Sequence, residues 1–516
     1  MKQRELLGFI EAARKRVGLS NGKSKLLVQV GHCSTAVVAS KLFTELRSYV
    51  PNQFVVEQSG CDGACSAGPK IFSSQTDIKD IRDWVSEKFS CSWVSDVSEE
   101  YVSEQHRIAM KDIGIMSAEG LDDYLDNGGF VGLATALSLL SADVINIVEK
   151  SGLRGRGGAY FPVHLKWRSA LAVDSDKRVM VINAEEGEPG IFKDRHLMEG
   201  APYRLIEGAL ISAFATGIQD IFLYVNAEAD LSYERMSHAV DNALKEGFLG
   251  EGIMGSDFDA NITLIRGAGG YVCGEESTLL NTMEGKRREP RLRPPFPTEA
   301  GYQQRPTIVN NVETLCNLPY ILLYGDDEFR KSGLEDCPGT KIISLSGRVN
   351  TPGAVEVPMG TPISEILRTF GNVDPEDLTG IAIGGPSSGI LPADMASLPI
   401  KPGLIDGNSV MLGAGGIVAL GGDRSIIDAV RVLADYNASE SCGKCTPCRE
   451  GTPRILELMS TVESNSPGLP LELDKLANAI NMASLCGLGQ AAGNPVLSLL
   501  HHFPEKVFNG GESREN

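Results

Sequence analysis

Three cysteines stand at three-residue intervals in ESCGKCTPCREG: Cys442, Cys445 and Cys448. Thiolates so spaced serve one centre only if the chain wraps around it, and a structural zinc site or an iron–sulfur cubane then takes a fourth ligand. Thr446 and Pro447 read as a helix start, Thr as N-cap and Pro at N1. That puts Cys442 and Cys445 on the preceding loop and Cys448 in the first turn. Pro453 implies either a kink in this helix or a fresh start from Thr452. Zinc usually takes two separated CxxC pairs, whereas CxxCxxC with one remote cysteine is the habit of [4Fe–4S]. Cys486, in SLCGLGQ, is the remote candidate about a helix-length return away, and Gly487 beside it permits close approach of backbone. Zinc and unligated thiols are the alternatives.

The chain around these cysteines has 516 residues, too many for one core, so three or four domains are expected. With 42% apolar and 22% charged residues it reads as globular, and a net charge of −19 argues against nucleic acid as the partner. MKQRELLGFIEAARKRVG reads as an amphipathic helix and not as a signal peptide. No apolar run approaches the ~18 residues of a membrane span. A soluble cytoplasmic protein, without direct membrane insertion, is the expectation. In a reducing compartment the eleven cysteines are thiols or metal ligands. Cys91, Cys273, Cys316 and Cys337 have no ligand spacing and read as buried or incidental thiols.

The expected fold class is α/β multidomain. KLLVQV, QFVVEQS and KIFSS read as strands, with helices over 35–50 and in TDIKDIRDWVSEKF, a small thioredoxin-like domain over 1–95 with cysteines in its turns. SDVSEEYVSEQHR (95–107) reads as a linker. Strand-like RVMVINA, DIFLYVNA and NITLIRGAGG alternate with helical stretches over 110–335, implying a sheet covered by helices. Residues 338–422, with short strands, one helix and a GGPSSGI turn, suggest a β-grasp-like (soluble-ligand-binding, SLBB) module. From 423 to 516 the chain reads as a helical bundle carrying the last four cysteines.

SGLRGRGGAYFPVHLKW places Gly152, Gly155, Gly157 and Gly158 among Arg154, Arg156 and Lys166. Consecutive amides free of Cβ atoms form an anion-binding nest, so a phosphate is the natural guest, with an ordinary glycine turn as the alternative. VINAEEGEPGIFKDRH supplies Glu185, Glu186 and Glu188 after a strand, and GGYVCGEESTLLN supplies Glu275 and Glu276. Carboxylates at strand ends accept hydrogen bonds from ribose hydroxyls and repel a 2′-phosphate; solvated loop charges are the plainer reading of either stretch alone. Phe296, framed by Pro294, Pro295 and Pro297, suits an aromatic platform, and Asn310 and Asn311 suit the polar edge of a planar heterocycle.

GLRGRGGAYFP with LKW, NAEEGEPGIFKDR, GGYVCGEESTLLN and PTIVNNVETL, in that order, closely resemble the NADH-binding flavoprotein subunit of respiratory complex I. They also resemble the β subunits of NAD-dependent formate dehydrogenases and NAD-coupled hydrogenases. The resemblance covers about 110–500 and implies FMN, a [4Fe–4S] cluster and NAD(H) as substrate. Carried over, Gly155, Arg156, Gly157, Gly158, Lys166, Asn183, Glu185, Glu186, Tyr271, Gly274, Asn310 and Asn311 are expected at FMN. Phe161, Glu188, Glu275, Glu276, Arg293 and Phe296 are expected at NADH, and Cys442, Cys445, Cys448 and Cys486 at the cubane. Tyr160 departs from the glycine usual before Phe161, which is expected to narrow the pocket or alter nucleotide affinity. Glu185 stands where aspartate is usual, Arg293 where lysine is common, and Ser169 where an aromatic occurs.

GHCSTAVVAS and SGCDGACSAGP resemble the thioredoxin-like [2Fe–2S] domain that often accompanies this flavoprotein. Complete versions carry C-x4-C and C-x3-C; here Cys33, Cys61 and Cys65 are present, but Val38 stands at the second position. A clusterless docking module is the first expectation. The alternative is a [2Fe–2S] cluster on three cysteines, completed in principle by His32 or Ser34. The implied activity is hydride exchange between NAD(H) and FMN with single electrons passing to the [4Fe–4S] cluster. Expected partners are a small [2Fe–2S] subunit and a catalytic subunit. With no cysteine-rich C-terminal extension in the sequence, formate dehydrogenase is placed before an NAD-reducing or bifurcating hydrogenase. A non-catalytic scaffold is the rival from another class.

Overall fold

The computed structural model describes residues 3–17, 24–35, 38–73, 78–90, 92–93, 101–385, 388–422, 425–462 and 468–507. At its centre the strands Val179–Ala184, Asp220–Val225, Asn261–Arg266 and Thr307–Asn311 form one parallel sheet. VMVINA is buried at every position but Asn183, as a strand covered on both faces must be. The helix Pro202–Thr216, buried on nearly all sides, supplies much of that cover. Across the sheet the order is 261–266, 220–225, 179–184, 307–311. The first three strands step outward in one direction, and the fourth pairs with the other edge of the first. The strand order therefore reverses between Val179–Ala184 and Thr307–Asn311. Open α/β sheets bind ligands beyond the strand carboxyl ends at such a reversal. Asn183 and the Asn310–Asn311 pair sit at those ends.

The N-terminal unit is a four-stranded sheet in the order Phe54–Ser59, Ser24–Gln29, Lys70–Phe72, Ser92–Trp93. Helices Ala39–Tyr49 and Lys79–Lys88 pack Leu42, Leu46, Ile81 and Val85 against its Leu26, Val28 and Ile71. The helix expected over 35–50 is interrupted. A short turn, His32–Thr35, precedes it, and Val38 takes a left-handed φ of 64° at its start. The first helix, Gln3–Val17, leaves this unit altogether and packs Leu6, Ile10 and Ala13 into the core of the central sheet's unit. The N-terminal unit is docked tightly: a Cβ on Gly60 would lie 2.2 Å from Gly200 Cα. Of the expected linker, 95–100 lies outside the described residues. From Tyr101 onward the chain is packed, with the Tyr101 ring edge-on to Phe370 and Gln105 accepting the Glu356 N–H.

The five-stranded sheet Gly353–Pro358, Thr340–Gly347, Gly416–Leu420, Gly380–Ile383, Gly389–Leu391 carries the helix Ile363–Thr369 on one face. Pro386 and Ser387 of the expected GGPSSGI turn lie outside the described residues. On its other face Ala382, Ile390 and Leu420 share a core with the helices Ile426–Ser439, Thr446–Ser460, Leu469–Ala483 and Asn494–His502. Pro453 lies inside Thr446–Ser460, which is a single helix. Its N-cap is Cys445 rather than Thr446, and Pro447 falls in the first turn. Among the described residues no helix is long and apolar enough to cross a membrane.

Glu356 joins the segment after the N-terminal unit to the five-stranded sheet. Its buried carboxylate accepts the N–H groups of Ala109 and Met110 at 2.9 and 2.7 Å and the Thr340 hydroxyl. Glu356→Ala leaves three buried donors without this acceptor. The expected cost is about 2–4 kcal/mol, read as a lower Tm; an unchanged Tm contradicts this role.

Candidate functional site

At the strand reversal lies a cleft with two lobes of ≈ 660 and ≈ 380 Å³ that share Gly157, Ala159, Asn183, Gly274, Glu275, Asn311 and Gly487 as walls. The glycine loop forms one side. Gly157 packs so closely that a Cβ there would meet Asn311 Cβ at 3.0 Å, and Gly158 has φ 118°. Gly155 borders the larger lobe. Lys166 stands in that lobe, its Nζ 2.9 Å from the Val309 carbonyl and 3.3 Å from Glu276.

Arg156 is a correction. Its side chain is wholly buried and borders neither lobe; the guanidinium donates to the carbonyls of Arg154, Pro338 and Thr340. Its backbone N–H is taken by Thr314 Oγ1. Three carbonyls, two of them at the entry to the five-stranded sheet, consume the charge expected to meet a phosphate. Tyr160 differs from expectation as well. It adopts φ 50°, a left-handed conformation that glycine accepts without strain. Its ring is buried in the core of the five-stranded unit, and its hydroxyl donates to the Gly413 carbonyl. The extra side chain anchors the loop, and Tyr160 also borders the larger lobe.

The acidic residues divide by task. Glu186 accepts the N–H groups of Asp194 and Arg195 at the start of the helix Lys193–Gly200. Burial and Asp194 push its carboxyl up to about 7. Glu275 caps the helix Glu276–Met283 by accepting the Ser277 and Thr278 N–H groups, and it also pairs with Arg293. Glu276 faces Lys166 and Arg293, each at 3.3 Å. Glu188 accepts the Tyr271 hydroxyl at 3.2 Å. Glu185 accepts from Asn226, but its Oε2 is buried without a hydrogen-bond partner, and burial lifts its carboxyl to about 7. Asn183 donates to the Gly274 carbonyl. Phe161 and Phe296 both border the larger lobe and are half-exposed, 50% and 49%. Asn310 is buried beside them, and Ser169 contacts Thr298 at 3.0 Å.

Sequence reasoning passed over Lys193 and Asp194, although both lie in a stretch it singled out. Both are buried and border the smaller lobe. Lys193 contacts Asp194 at 2.7 Å and Glu313 at 3.1 Å, Lys341 completes a buried quartet, and Asn311 donates to Asp194.

The cysteines of the bundle close the far side of the cleft. Cys442, Cys445, Cys448 and Cys486 gather with Val272, Leu488 and Tyr271, and the N–H groups of Leu488 and Gly489 are aimed at the Cys486 sulfur. A tetrahedral zinc holds its sulfurs about 3.8 Å apart. No three of these four sulfurs lie within 4.8 Å of one another, so the described geometry is not that of a closed zinc site. Gly487, next to Cys486, borders both lobes.

The Nuo51 FMN-binding domain model matches residues 148–320, and the NADH-ubiquinone oxidoreductase-F iron-sulfur binding region matches 428–509. The NADP-reducing hydrogenase subunit HndC of Solidesulfovibrio fructosivorans is 40% identical over 78% of this chain and 82% of its own. The chain belongs to this FMN- and [4Fe–4S]-binding family of NADH oxidoreductase subunits. An NADH-quinone oxidoreductase subunit of Streptomyces coelicolor is 40% identical over 75% of this chain and 87% of its own. A crystal structure of an air-oxidized NAD+-reducing [NiFe]-hydrogenase contains a chain that superposes with TM-score 0.68 and 26% identity, covering 97% of this chain and 88% of that one. This family member is an oxidoreductase that binds FMN and a [4Fe–4S] cluster and acts on NAD(P)H. The cleft fits FMN: a glycine loop closed against Asn311, a carboxylate oxygen without a partner at Glu185, and amides at the strand ends supply its anion site and polar edge.

Glu185 carries a pH signature. Its folded pKa lies above its ordinary value of 4.5, so ionisation disfavours the folded chain and stability falls as pH rises from about 4.5 to about 7. In flavin-free protein, Glu185→Gln is expected to gain Tm over wild type across this window; a constant difference contradicts it.

Proposed function

We propose that this chain is the NAD(H)-reacting subunit of a multisubunit electron-transfer complex of the hydrogenase type. The observation that carries the reading is the cleft wall at Gly487, where the nucleotide-sized cleft and the residue after a cluster cysteine coincide. Bound there, FMN supplies the exchange between a two-electron hydride and single electrons. The chain's own residues position and exclude. Lys166 offers a cation beside the glycine loop, and Asn183, Asn310 and Asn311 offer amides for a heterocycle's polar edge. Phe161 and Phe296 frame the larger lobe with apolar faces against which planar rings stack. Glu276 and Glu188 accept hydrogen bonds from nucleotide hydroxyls. Glu275 holds the helix end and Arg293 in place.

Six carboxylates border the two lobes (Glu185, Glu186, Glu188, Asp194, Glu275, Glu276) against the cations Lys166, Lys193 and Arg293. This balance opposes the 2′-phosphate of NADPH and supports NADH as the substrate. The relative from Solidesulfovibrio is an NADP-reducing hydrogenase subunit, so nucleotide choice is a point on which members differ. None of the ten described cysteines is joined in a disulfide, which supports a reducing cytoplasm as the location. Hydrogen as the distal substrate is favoured by the hydrogenase chain that matches nearly the whole length, the N-terminal unit included. Formate is the competing assignment, and the catalytic subunit that co-purifies with the native chain separates the two.

Two kinetic measurements test the cleft. NADH is expected to exceed NADPH in kcat/KM by at least about tenfold, roughly 1.4 kcal/mol; equal values reject the carboxylate reading. Glu276→Ala is expected to raise the KM for NADH about tenfold with little change in the rate of reoxidation by a one-electron acceptor. An unmoved KM shows that the nucleotide does not reach Glu276.

A further inference from the structure

The helix Lys193–Gly200 has two ends with different neighbours. Its first turn borders the cleft through Lys193 and Asp194. One turn on, His196 faces the N-terminal unit, where its Nε2 lies 3.8 Å from the Cys65 sulfur. The ligand atoms of Cys61, Cys65 and His196 all lie within 4.8 Å of one another, the one such trio of potential metal ligands among the described residues. The Cys33 and Cys65 thiols are in hydrogen-bonding contact, and Cys33, Cys61 and Cys65 border one small cavity.

The imidazole is already oriented. His196 Nδ1 is 2.9 Å from the Phe192 carbonyl oxygen. A carbonyl only accepts, so Nδ1 carries a proton, and Nε2 is the ring nitrogen that faces the sulfurs. Metal-ligating histidines are held in this way, by a hydrogen bond from the second ring nitrogen that fixes tautomer and ring plane. The docking is fixed as well. Gly60, next to Cys61, meets Gly200 at the end of the same helix without room for a Cβ, and Glu199 accepts the His32 N–H at 2.9 Å.

Of the positions nearer in sequence, His32 joins no trio of potential ligands within 4.8 Å, Ser34 is engaged and Val38 is misplaced. Ser34 Oγ accepts the Gly31 N–H at 2.8 Å and lies 3.2 Å from the Gln29 carbonyl, closing its own turn. Val38 is exposed at the start of a helix.

We propose that Cys33, Cys61, Cys65 and His196 Nε2 hold a [2Fe–2S] cluster, with the imidazole standing in for the thiolate that Val38 does not supply. A clusterless docking module is thereby replaced by a complete ligand set, shared between the N-terminal unit and the flavin-binding unit. A single tetrahedral ion would draw all four ligand atoms to about 3.8 Å of one another. Cys33 touches Cys65 but lies outside the close trio, so the four ligand atoms do not converge on one tetrahedral point.

The test uses the full chain purified without oxygen. Wild type is expected to contain about six irons and about six acid-labile sulfides, the sum of a [4Fe–4S] and a [2Fe–2S] cluster. His196→Ala is expected to fall to about four of each while FMN content is unchanged. His196→Cys is expected to keep about six and to lower the reduction potential of the two-iron centre, because histidine ligation raises it. About four irons in wild type, one zinc per chain in place of two irons, or a His196→Ala variant with undiminished iron overturns the proposal. If His196→Ala fails to fold, the wild-type inventory and the potential of His196→Cys decide.

Discussion

The cleft is held by a carboxylate buried between two lysines. Glu313 is almost wholly inaccessible; it pairs with Lys193 from the helix beside the cleft and with Lys341 from the five-stranded sheet, and it accepts the Ile342 N–H. Four buried charges are tolerable only as a closed, fully bonded set, and with Asp194 the set is neutral. Its neighbours raise the Lys193 ammonium pKa and hold the Glu313 carboxyl down, while burial and Lys193 bring Lys341 down to about 8. Removing one member strands its partners, so the quartet fixes three elements at once: the glutamate-bearing loop, the strand end with Asn311, and the adjoining sheet. The strand reversal alone would leave an open crevice. The quartet gives the crevice a rigid floor.

The bundle is joined to that floor at several points. Tyr436 donates to the Gly187 carbonyl at 2.7 Å, Glu440 accepts the Tyr271 N–H at 2.8 Å, and Lys444 donates to the Pro290 carbonyl at 2.7 Å. These contacts bring the cysteine loop against the glutamate-bearing turns, so that Cys486 and the cleft wall are neighbours in sequence and in space. A site meant to pass electrons singly needs short, fixed separations more than it needs catalytic side chains. Its rigid, bonded walls are consistent with that demand.

Local chemistry was readable from the sequence, and long-range partnership was not. Cys442, Cys445 and Cys448 announce a centre by spacing alone, and Gly157 and Gly158 announce a close approach of backbone. Arg156 was misjudged because its acceptors are carbonyls as far away as Pro338 and Thr340, which no periodicity reveals. Tyr160 stands at a left-handed position where glycine would be the ordinary choice, and only the packing of the adjoining sheet explains its ring. His196 comes to Cys65 across 131 residues and between two units, so the spacing of cysteines near the N-terminus could not count it. The Gln3–Val17 helix, amphipathic as expected, gave no sign of which core it would join.

The central claim is that nucleotide, flavin and cubane share one cleft wall at Cys486–Gly487. It is tested most directly by mixing the fully reduced, FMN-loaded chain with excess NAD+ in a stopped-flow spectrometer. The account predicts that the oxidised cubane absorbance returns together with that of the flavin as NADH forms, with Cys486→Ser lacking the cubane's share of the change. Reoxidation of the flavin with a cubane that stays reduced in wild type would contradict it.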